Sequence, residues 1–289
     1  MVDFATFLNT VKNFNVDQDA IIAQGATADL FAWPNDGVMD AVVLKLYHAG
    51  YPLMAAQREA ANARVAHAAG LPTPAVLDVG QIGERAGVLF ARIYGPTMLE
   101  QMLAGPSDAL PLAHTLAELH VALHQISAAH SAAPPQQTRL ENALTRAKLS
   151  QTVRTEMQQI LQQLSRSGPT GLVLCHGDFH PSNIIISPAG PVIIDWVDLT
   201  QGDPTADVAR TLLLLEYAVL PFNMPPEMVA QITALRRQFA AAYVARYTEL
   251  HALDRPRLQS WMRVVAAARL VEKISADEVT VLHQLIAGE

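Results

Sequence analysis

Between residues 176 and 195 the chain reads His176-Gly177-Asp178-Phe179-His180-Pro181-Ser182-Asn183, then apolar Ile184-Ile185-Ile186, and soon after Ile193-Ile194-Asp195-Trp196. Each polar residue is ordinary alone, and a single loop aspartate more often closes a turn or caps a helix than does chemistry. The spacing carries the signal. An aspartate in a loop ahead of one short strand, an asparagine entering that strand and a second aspartate leaving the next strand can converge on one point. Oxygen donors suit Mg2+, and a carboxylate beside them suits a hydroxyl that must lose its proton. Together these are the parts of a centre that moves a phosphoryl group from Mg-ATP to an acceptor hydroxyl.

Such a centre needs elements to hold it. Phe4, Phe7, Leu8, Val11 and Phe14 mark an amphipathic helix at the start of the chain. The turn Pro34-Asn35-Asp36-Gly37 reads as a hairpin leading into the strand Val42-Val43-Leu44-Lys45-Leu46. Residues 57–69 form an alanine-rich helix stopped by Gly70, Pro72 and Pro74, and strands are expected at 76–79 and 88–93. Beyond Tyr94-Gly95-Pro96 the pattern turns helical, over 112–129, over 140–164, and from 205 to the end with breaks at Pro221, Pro225, Pro226 and Pro256. In that half only 172–194 reads as strand, loop, strand, and the alanine-rich stretch 127–135 reads as a surface connection. The expectation is an α+β, two-lobed protein with a small sheet-based N-lobe (1–93) and a larger, mostly helical C-lobe (94–289).

Composition narrows the function classes. With 289 residues, 51% of them hydrophobic, the chain has ample material for a core, and disorder is excluded. A formal charge of −7 argues against a nucleic-acid binder and is compatible with a neutral or cationic ligand. Cys175 is the only cysteine, so neither an intrachain disulfide nor a cysteine-based zinc site can form, and the cytoplasm is the natural compartment. The start lacks the basic and apolar regions of a signal peptide. The most apolar tract, 211–222, is broken by Glu216 and falls short of a membrane span, so a soluble protein with no membrane partner is expected.

HGDFHPSN, IIDW and GDPTADVAR, in this order and at close spacing, resemble the core of the aminoglycoside phosphotransferase and choline kinase-like family, relatives of the protein kinases. The resemblance runs from about residue 19 to 247. It implies a protein kinase-like fold, ATP as co-substrate, Mg2+, and a small molecule bearing a hydroxyl as acceptor. It makes Asp178 the catalytic base, Asn183 and Asp195 the Mg2+ ligands, His176 a loop-bracing residue, and Asp207 the helix-borne carboxylate that bonds the loop backbone. In the N-lobe it makes Lys45 the lysine that grips the ATP phosphates and Glu59 its helical partner, with Ile93 in the hinge that meets adenine. A buried ammonium needs such a carboxylate, whereas Lys45 alone would read as an edge-strand charge. Gln24-Gly25-Ala26-Thr27-Ala28-Asp29 would be the phosphate loop, with Gly25 its only glycine and Thr27 able to offer a hydroxyl. Val197 departs from the acidic residue frequent after IDW in the family. Asp198, one position on, is a candidate for the substrate or a second metal.

Alternatives remain at this level. Asp203 and Asp207 could simply cap a helix. His120 and His124 have metal-ligand spacing but lack the intervening glutamate of a zincin. Leu116, Leu119, Leu123 and Ile126 place them in core periodicity. No G-x-S-x-G elbow supports a hydrolase. Only eleven residues lie between Asp195 and Asp207, little room for a peptide-holding segment. Gly177 also stands where many protein kinases carry an arginine, so a small acceptor is favoured over a protein. Glu216, Tyr217, Glu249 and Asp254 are candidates to meet it. A silent nucleotide-binding or sensor protein on the same fold is the other class, suggested by the sparse loop at Gly25.

Overall fold

The computed structural model describes residues 21–25, 27–32, 42–105, 109–129, 131–168, 171–218 and 225–288. The helix expected near the start and the turn at 34–37 lie outside these residues. Two compact units emerge, Met1–Thr97 with Asn183–Asp198, and Met98–Ser182 with Leu199–Glu289. The first unit therefore takes in the segment 183–198, which a division at residue 93 assigns to the other.

In chain order the first unit begins with β1 (Ile21–Gln24), β2 (Ala28–Ala32), β3 (Val42–Tyr47), α1 (Leu53–Ala68), β4 (Val76–Ile82) and β5 (Arg85–Ala91). The five strands are antiparallel in the order β1-β2-β3-β5-β4, so β3 is central and Lys45 sits between Leu30 and Val88. An edge position for this lysine is thereby overturned. Alanines give α1 its helix propensity and let it lie close: Ala56 and Ala60 pack with Ala28, Tyr47, Ala86 and Val88. The helix starts four residues earlier than the expected 57 and closes in a Schellman turn. There Gly70, at φ +82°, donates to His67 O, and Leu71 N donates to Ala66 O.

The second unit opens with α2 (Met98–Ala104), α3 (Ala109–His124), α4 (Gln136–Arg146), α5 (Gln151–Arg166) and β6 (Val173–Cys175). The chain then returns to the first unit for the hairpin β7 (Ile184–Ser187) and β8 (Gly190–Ile193). The second unit resumes with β9 (Thr200–Gly202), α6 (Pro204–Tyr217), α7 (Pro226–Leu250), α8 (Arg255–Arg269) and α9 (Ala276–Ala287). One of its core clusters joins Leu144 of α4, Met157 and Leu161 of α5, Ala209 and Leu213 of α6, Val264 of α8 and Leu282 of α9. No described helix is long and apolar enough to cross a membrane.

Two expectations need correction and one needs a detail added. The helix over 140–164 is two helices, because Ser150 caps α5 through Val153 N (3.3 Å) and Arg154 turns back to the carbonyls of Thr145 and Ala147 at the end of α4 (2.6 and 3.0 Å). The stretch 127–135 runs mostly exposed, as expected of a surface connection, but it is pinned by buried Ala128 and Ala133, and Ala128 N donates to Leu172 O at 2.9 Å. Alanine is small enough to be tucked in wherever the backbone finds partners. A further strand, β9, pairs antiparallel with β6, and three residues are too few to show a period.

In the first unit Gly95 has φ +147°, and a Cβ there would stand 2.1 Å from Ile186 O, where Ile186 N already donates to Pro96 O. Gly95→Ala should therefore lower stability by about 2 kcal/mol or more, since neither backbone can give. Gly50→Ala, at φ +94° with nothing within 4 Å, should cost only about 1 kcal/mol of backbone strain. Urea midpoints of the two variants and the parent check both; equal losses would mean that the close approach is unimportant.

Candidate active site

Lys45 is 9% exposed, and in the interior of a sheet its ammonium must be compensated. Two carboxylates do so. Lys45 Nζ lies 2.7 Å from Glu59 Oε1 and 3.0 Å from Asp195 Oδ1. Glu59, 1% exposed on the sheet-facing side of α1, also accepts the hydroxyl of Tyr47. Burial opposes the charge on Lys45, but Glu59 and Asp195 outweigh it and hold its pKa above the ordinary lysine value. Burial and the Glu59 carboxylate likewise push the Tyr47 hydroxyl up, so it stays a donor.

Asp195 reaches Lys45 because its backbone is bent to do so. It has φ +64°, the only non-glycine residue with positive φ among the described residues, and aspartate is one of the few types that tolerates this region. The neighbours pin the bend: Ile193 N donates to Pro72 O (2.7 Å), Ile194 N to Asn183 O (2.9 Å), and Asn62 Nδ2 to Trp196 O (2.8 Å). Trp196 Nε1 in turn donates to Thr73 Oγ1 at 2.8 Å. Because β7 and β8 pair Ile184 with Ile193, Asn183 and Asp195 flank the same open end of the hairpin. Asn183 is buried, while the Asp195 side chain is 41% exposed. One oxygen-rich end thus combines a carboxylate reachable from solvent with a side-chain amide.

The other nucleotide-site candidates of this unit are looser. Gly25 N donates to Ala28 O (2.8 Å), Thr27 O accepts from His48 N (2.9 Å), and Gly25 needs no positive φ. Asp29, which follows, is clamped by Arg85 at 2.6 Å. Ile93 follows β5 directly, and Asp198 closes a single 3-10 turn over Trp196–Asp198.

In the second unit Asp207 is fully buried and ionised. Its Oδ2 accepts from His176 N (2.6 Å), His120 Nε2 (3.1 Å) and His124 Nε2 (3.3 Å), and its Oδ1 from Gly177 N (2.8 Å). Burial would raise its pKa, but these donors hold it well below the carboxylate range. Since both Nε2 atoms must carry protons toward Asp207, both Nδ1 atoms accept, His120 from Tyr243 OH (2.6 Å) and His124 from Tyr247 OH (2.8 Å). Burial above all pushes both phenols up, keeping them donors. One ligand atom from each of His120, His124 and Asp207 lies within 4.8 Å of the others, yet every one is committed to a hydrogen bond, so the cluster braces rather than chelates.

The loop so braced carries Asp178. Asp178 N donates to His176 Nδ1 (3.3 Å), while its carboxylate meets Arg210 Nη2 at Oδ1 (3.1 Å) and His180 Nε2 at Oδ2 (3.3 Å). Burial would raise its pKa, but the His180 hydrogen bond and the Arg210 charge overcome it and keep the group ionised. Asp203 does cap α6 through Thr205 N (2.8 Å), and it also pairs with Arg257 and accepts from Trp261 Nε1 at 3.1 Å. Glu216 and Tyr217 line a cavity of about 410 Å³ with Arg237 and Val281. Asp254 and Glu249 are spent elsewhere, on the cap of α8 and on Arg246.

The phosphotransferase enzyme family (APH) matches residues 20–261. The chain belongs to this family. No curated protein matches it in sequence. Among solved structures, amicoumacin kinase hAmiN in complex with AMP-PNP, Ca2+ and Ami is similar with a TM-score of 0.63 at 16% identity, over 97% of this chain and 91% of that one. Aminoglycoside phosphotransferase APH(4)-Ia, in ternary complex with AMP-PNP and hygromycin B, gives 0.62 at 19% identity over 97% and 95%. A choline/ethanolamine kinase family protein from Mesorhizobium loti gives 0.58 at 16% over 91% and 85%. At such identities the likeness establishes the fold: a five-stranded antiparallel sheet followed by a mostly helical region, the kinase-like fold of aminoglycoside phosphotransferase structures.

Within this phosphotransferase, Lys45, Glu59, Asn183 and Asp195 come together in the first unit, and His176, Asp178 and Asp207 in the second. Sequence reasoning passed over Arg210, Asn62, Thr73, Tyr243 and Tyr247. Three had a readable signal: Arg210 follows Asp207 by one helical turn, and Tyr243 and Tyr247 repeat the four-residue spacing of His120 and His124.

The histidine cluster makes the second unit acid-labile. Burial and the neighbouring His124 depress His120 to about 3, whereas an unfolded histidine titrates near ~6.5. The unfolded state thus takes up a proton first, and stability should fall as pH drops below about 6.5, by up to ~1.4 kcal/mol per pH unit for this group. Asp207 adds to the loss only below the ordinary aspartate range near ~3.9, where the unfolded chain's carboxyl takes up a proton and the depressed folded one does not. Chemical denaturation across pH 4–7 should show a shallower slope in His120→Gln than in the parent; parallel slopes would contradict the assignment.

Proposed function

We propose that the chain is an ATP- and Mg-dependent phosphotransferase that moves the γ-phosphate to a hydroxyl of a small molecule. The observation that carries this reading is the buried Lys45 ammonium held between Glu59 and Asp195 on the central strand. A lysine so placed costs stability unless it has work to do, and a polyphosphate chain is the ligand that such a fixed cation fits. The residues present also fit the metal. Asp195 and Asn183 supply hard oxygen donors at one hairpin end, as Mg2+ requires. Bound there, Mg2+ would neutralise negative charge on the phosphates.

The protein's own residues take the remaining roles. Lys45 orients the nucleotide phosphates, and Glu59 with the Tyr47 hydroxyl keeps that ammonium in place. Backbone groups near Ile93 would take the adenine, and Gly25 and Thr27 would lie along the phosphates. Asp178, ionised and braced through His176 and Asp207, accepts the proton of the attacking hydroxyl. A small acceptor agrees with the short run from Asp195 to Asp207, much of which is taken up by the turn at Trp196–Asp198 and by β9. The cavity at Glu216, Tyr217 and Arg237 offers both signs of charge, suited to a polar acceptor such as an amino alcohol, a sugar or an aminoglycoside. Asp198 stands in reserve as a further acceptor contact. The buried, unbridged Cys175 agrees with a cytoplasmic setting.

Labelled ATP incubated with a metabolite extract and an acceptor panel tests the reading; tight Mg-ATP binding without transfer to any component would favour a silent nucleotide-binding protein. Asp178→Asn should bind ATP like the parent and turn over roughly 10²- to 10⁴-fold more slowly, the scale of a lost general base. Unchanged turnover would remove Asp178 from this role. Asp195→Ala should weaken Mg-dependent nucleotide binding in calorimetry, and the same Mg2+ dependence in variant and parent would count against it as a ligand.

A further inference from the structure

We infer that Arg210, itself held by Glu272, is a positioning residue for Asp178. The inference rests on Asp178 being the base. Arg210 lies one turn after Asp207 on α6, so a single stretch of helix grips the loop twice, its backbone through Asp207 and its carboxylate through Arg210. Arg210 Nη2 stands 3.1 Å from Asp178 Oδ1 and 3.2 Å from Glu272 Oε2, and Nη1 stands 2.8 Å from Glu272 Oε1.

The far end of this fork is anchored in turn. Glu272 Oε2 also accepts from Arg269 Nη1 at 2.6 Å, and Arg269 Nε donates to Glu278 Oε1 at 2.5 Å. Glu278 is buried at the start of α9, where its backbone N is capped by Ser275. Alternating charges therefore run from the loop aspartate to the junction of α8 and α9, and the guanidinium at their centre is only 12% exposed.

A planar fork bonded at both ends fixes direction as well as charge. For a base, direction decides whether a carboxylate oxygen meets the hydroxyl in line, and a small misplacement costs far more rate than stability. A lysine at this position would keep the charge and lose the fork. The depressed pKa of Asp178 agrees with the contact but is not needed for the argument.

The test uses the full chain and Mg-ATP with water as acceptor. Arg210→Gln should lower kcat roughly 10- to 100-fold with the KM for ATP nearly unchanged. Its thermal midpoint should drop by no more than about 2–4 °C. Arg210→Lys should recover part of the loss, and added guanidinium should restore turnover to Arg210→Ala in a saturable way. Arg246→Gln, which breaks an exposed pair with Glu118, should match the parent. A parent-like kcat in Arg210→Gln, or a loss that guanidinium does not relieve, would overturn the inference. If Arg210→Ala fails to fold, Glu272→Gln takes its place, and an unchanged kcat there also overturns it. A parent that turns over nothing sinks the phosphotransferase reading instead. Crystal structures of the parent and Arg210→Gln then decide the inference: an Asp178 carboxylate that keeps its orientation refutes it, and one that turns supports it.

Discussion

A carboxylate sealed from water must have its lone pairs used, and Asp207 meets that demand with four donors from two segments of the chain. Two come from the loop backbone at His176 and Gly177, and two from the imidazoles of α3. The other nitrogens of these rings meet the hydroxyls of Tyr243 and Tyr247 of α7, and burial above all keeps His120 from taking up a further proton. Helix packing, loop shape and protonation state are thus one problem with one solution. Remove any participant and a buried polar group is left unpaired, which costs more than the bond itself contributes.

The first unit solves a similar problem with the sign reversed. A lysine in the middle of a sheet is tolerated because α1 brings Glu59 over it and the end of the β7–β8 hairpin brings Asp195 to it. The alanines of α1 matter here for their size, since they let the helix lie close enough for a glutamate to reach the strand. The positive φ of Asp195 is the cost of that reach. Asn62, Thr73 and Pro72 hold the backbone there by hydrogen bonds to residues on either side of it. Strain at this one residue agrees with a site whose geometry is set by function rather than by stability.

Much of this was legible before any coordinates. Strand and helix order and the grouping of oxygen donors over 176–195 follow from residue type and spacing, and the pairing of Lys45 with Glu59 from the family resemblance. Legibility failed where the deciding partner is far away in sequence. Nothing near Ala128 announces that its amide will meet Leu172 O, and β9 is too short to show alternation. The break at Ser150 was missed because a helical period continued through it, and the cap it forms shows only in the fold. For His120 and His124 the core periodicity was readable, whereas the reason two polar rings belong in a core was not, because Asp207 lies more than eighty residues away.

The sequence by itself determined the ingredients: oxygen donors, loop carboxylates and a strand lysine, in an order that marks the phosphotransferase family. Those traits are local, since donor type and spacing along a strand or loop are properties of a few consecutive residues. Tertiary structure decided which groups are charged and where they point. It kept His120 neutral and Asp207 and Asp178 ionised, placed Lys45 at the centre of its sheet and put the guanidinium of Arg210 on the Asp178 carboxylate. Burial and partners from distant segments govern protonation and orientation, and both come into being only when the chain folds.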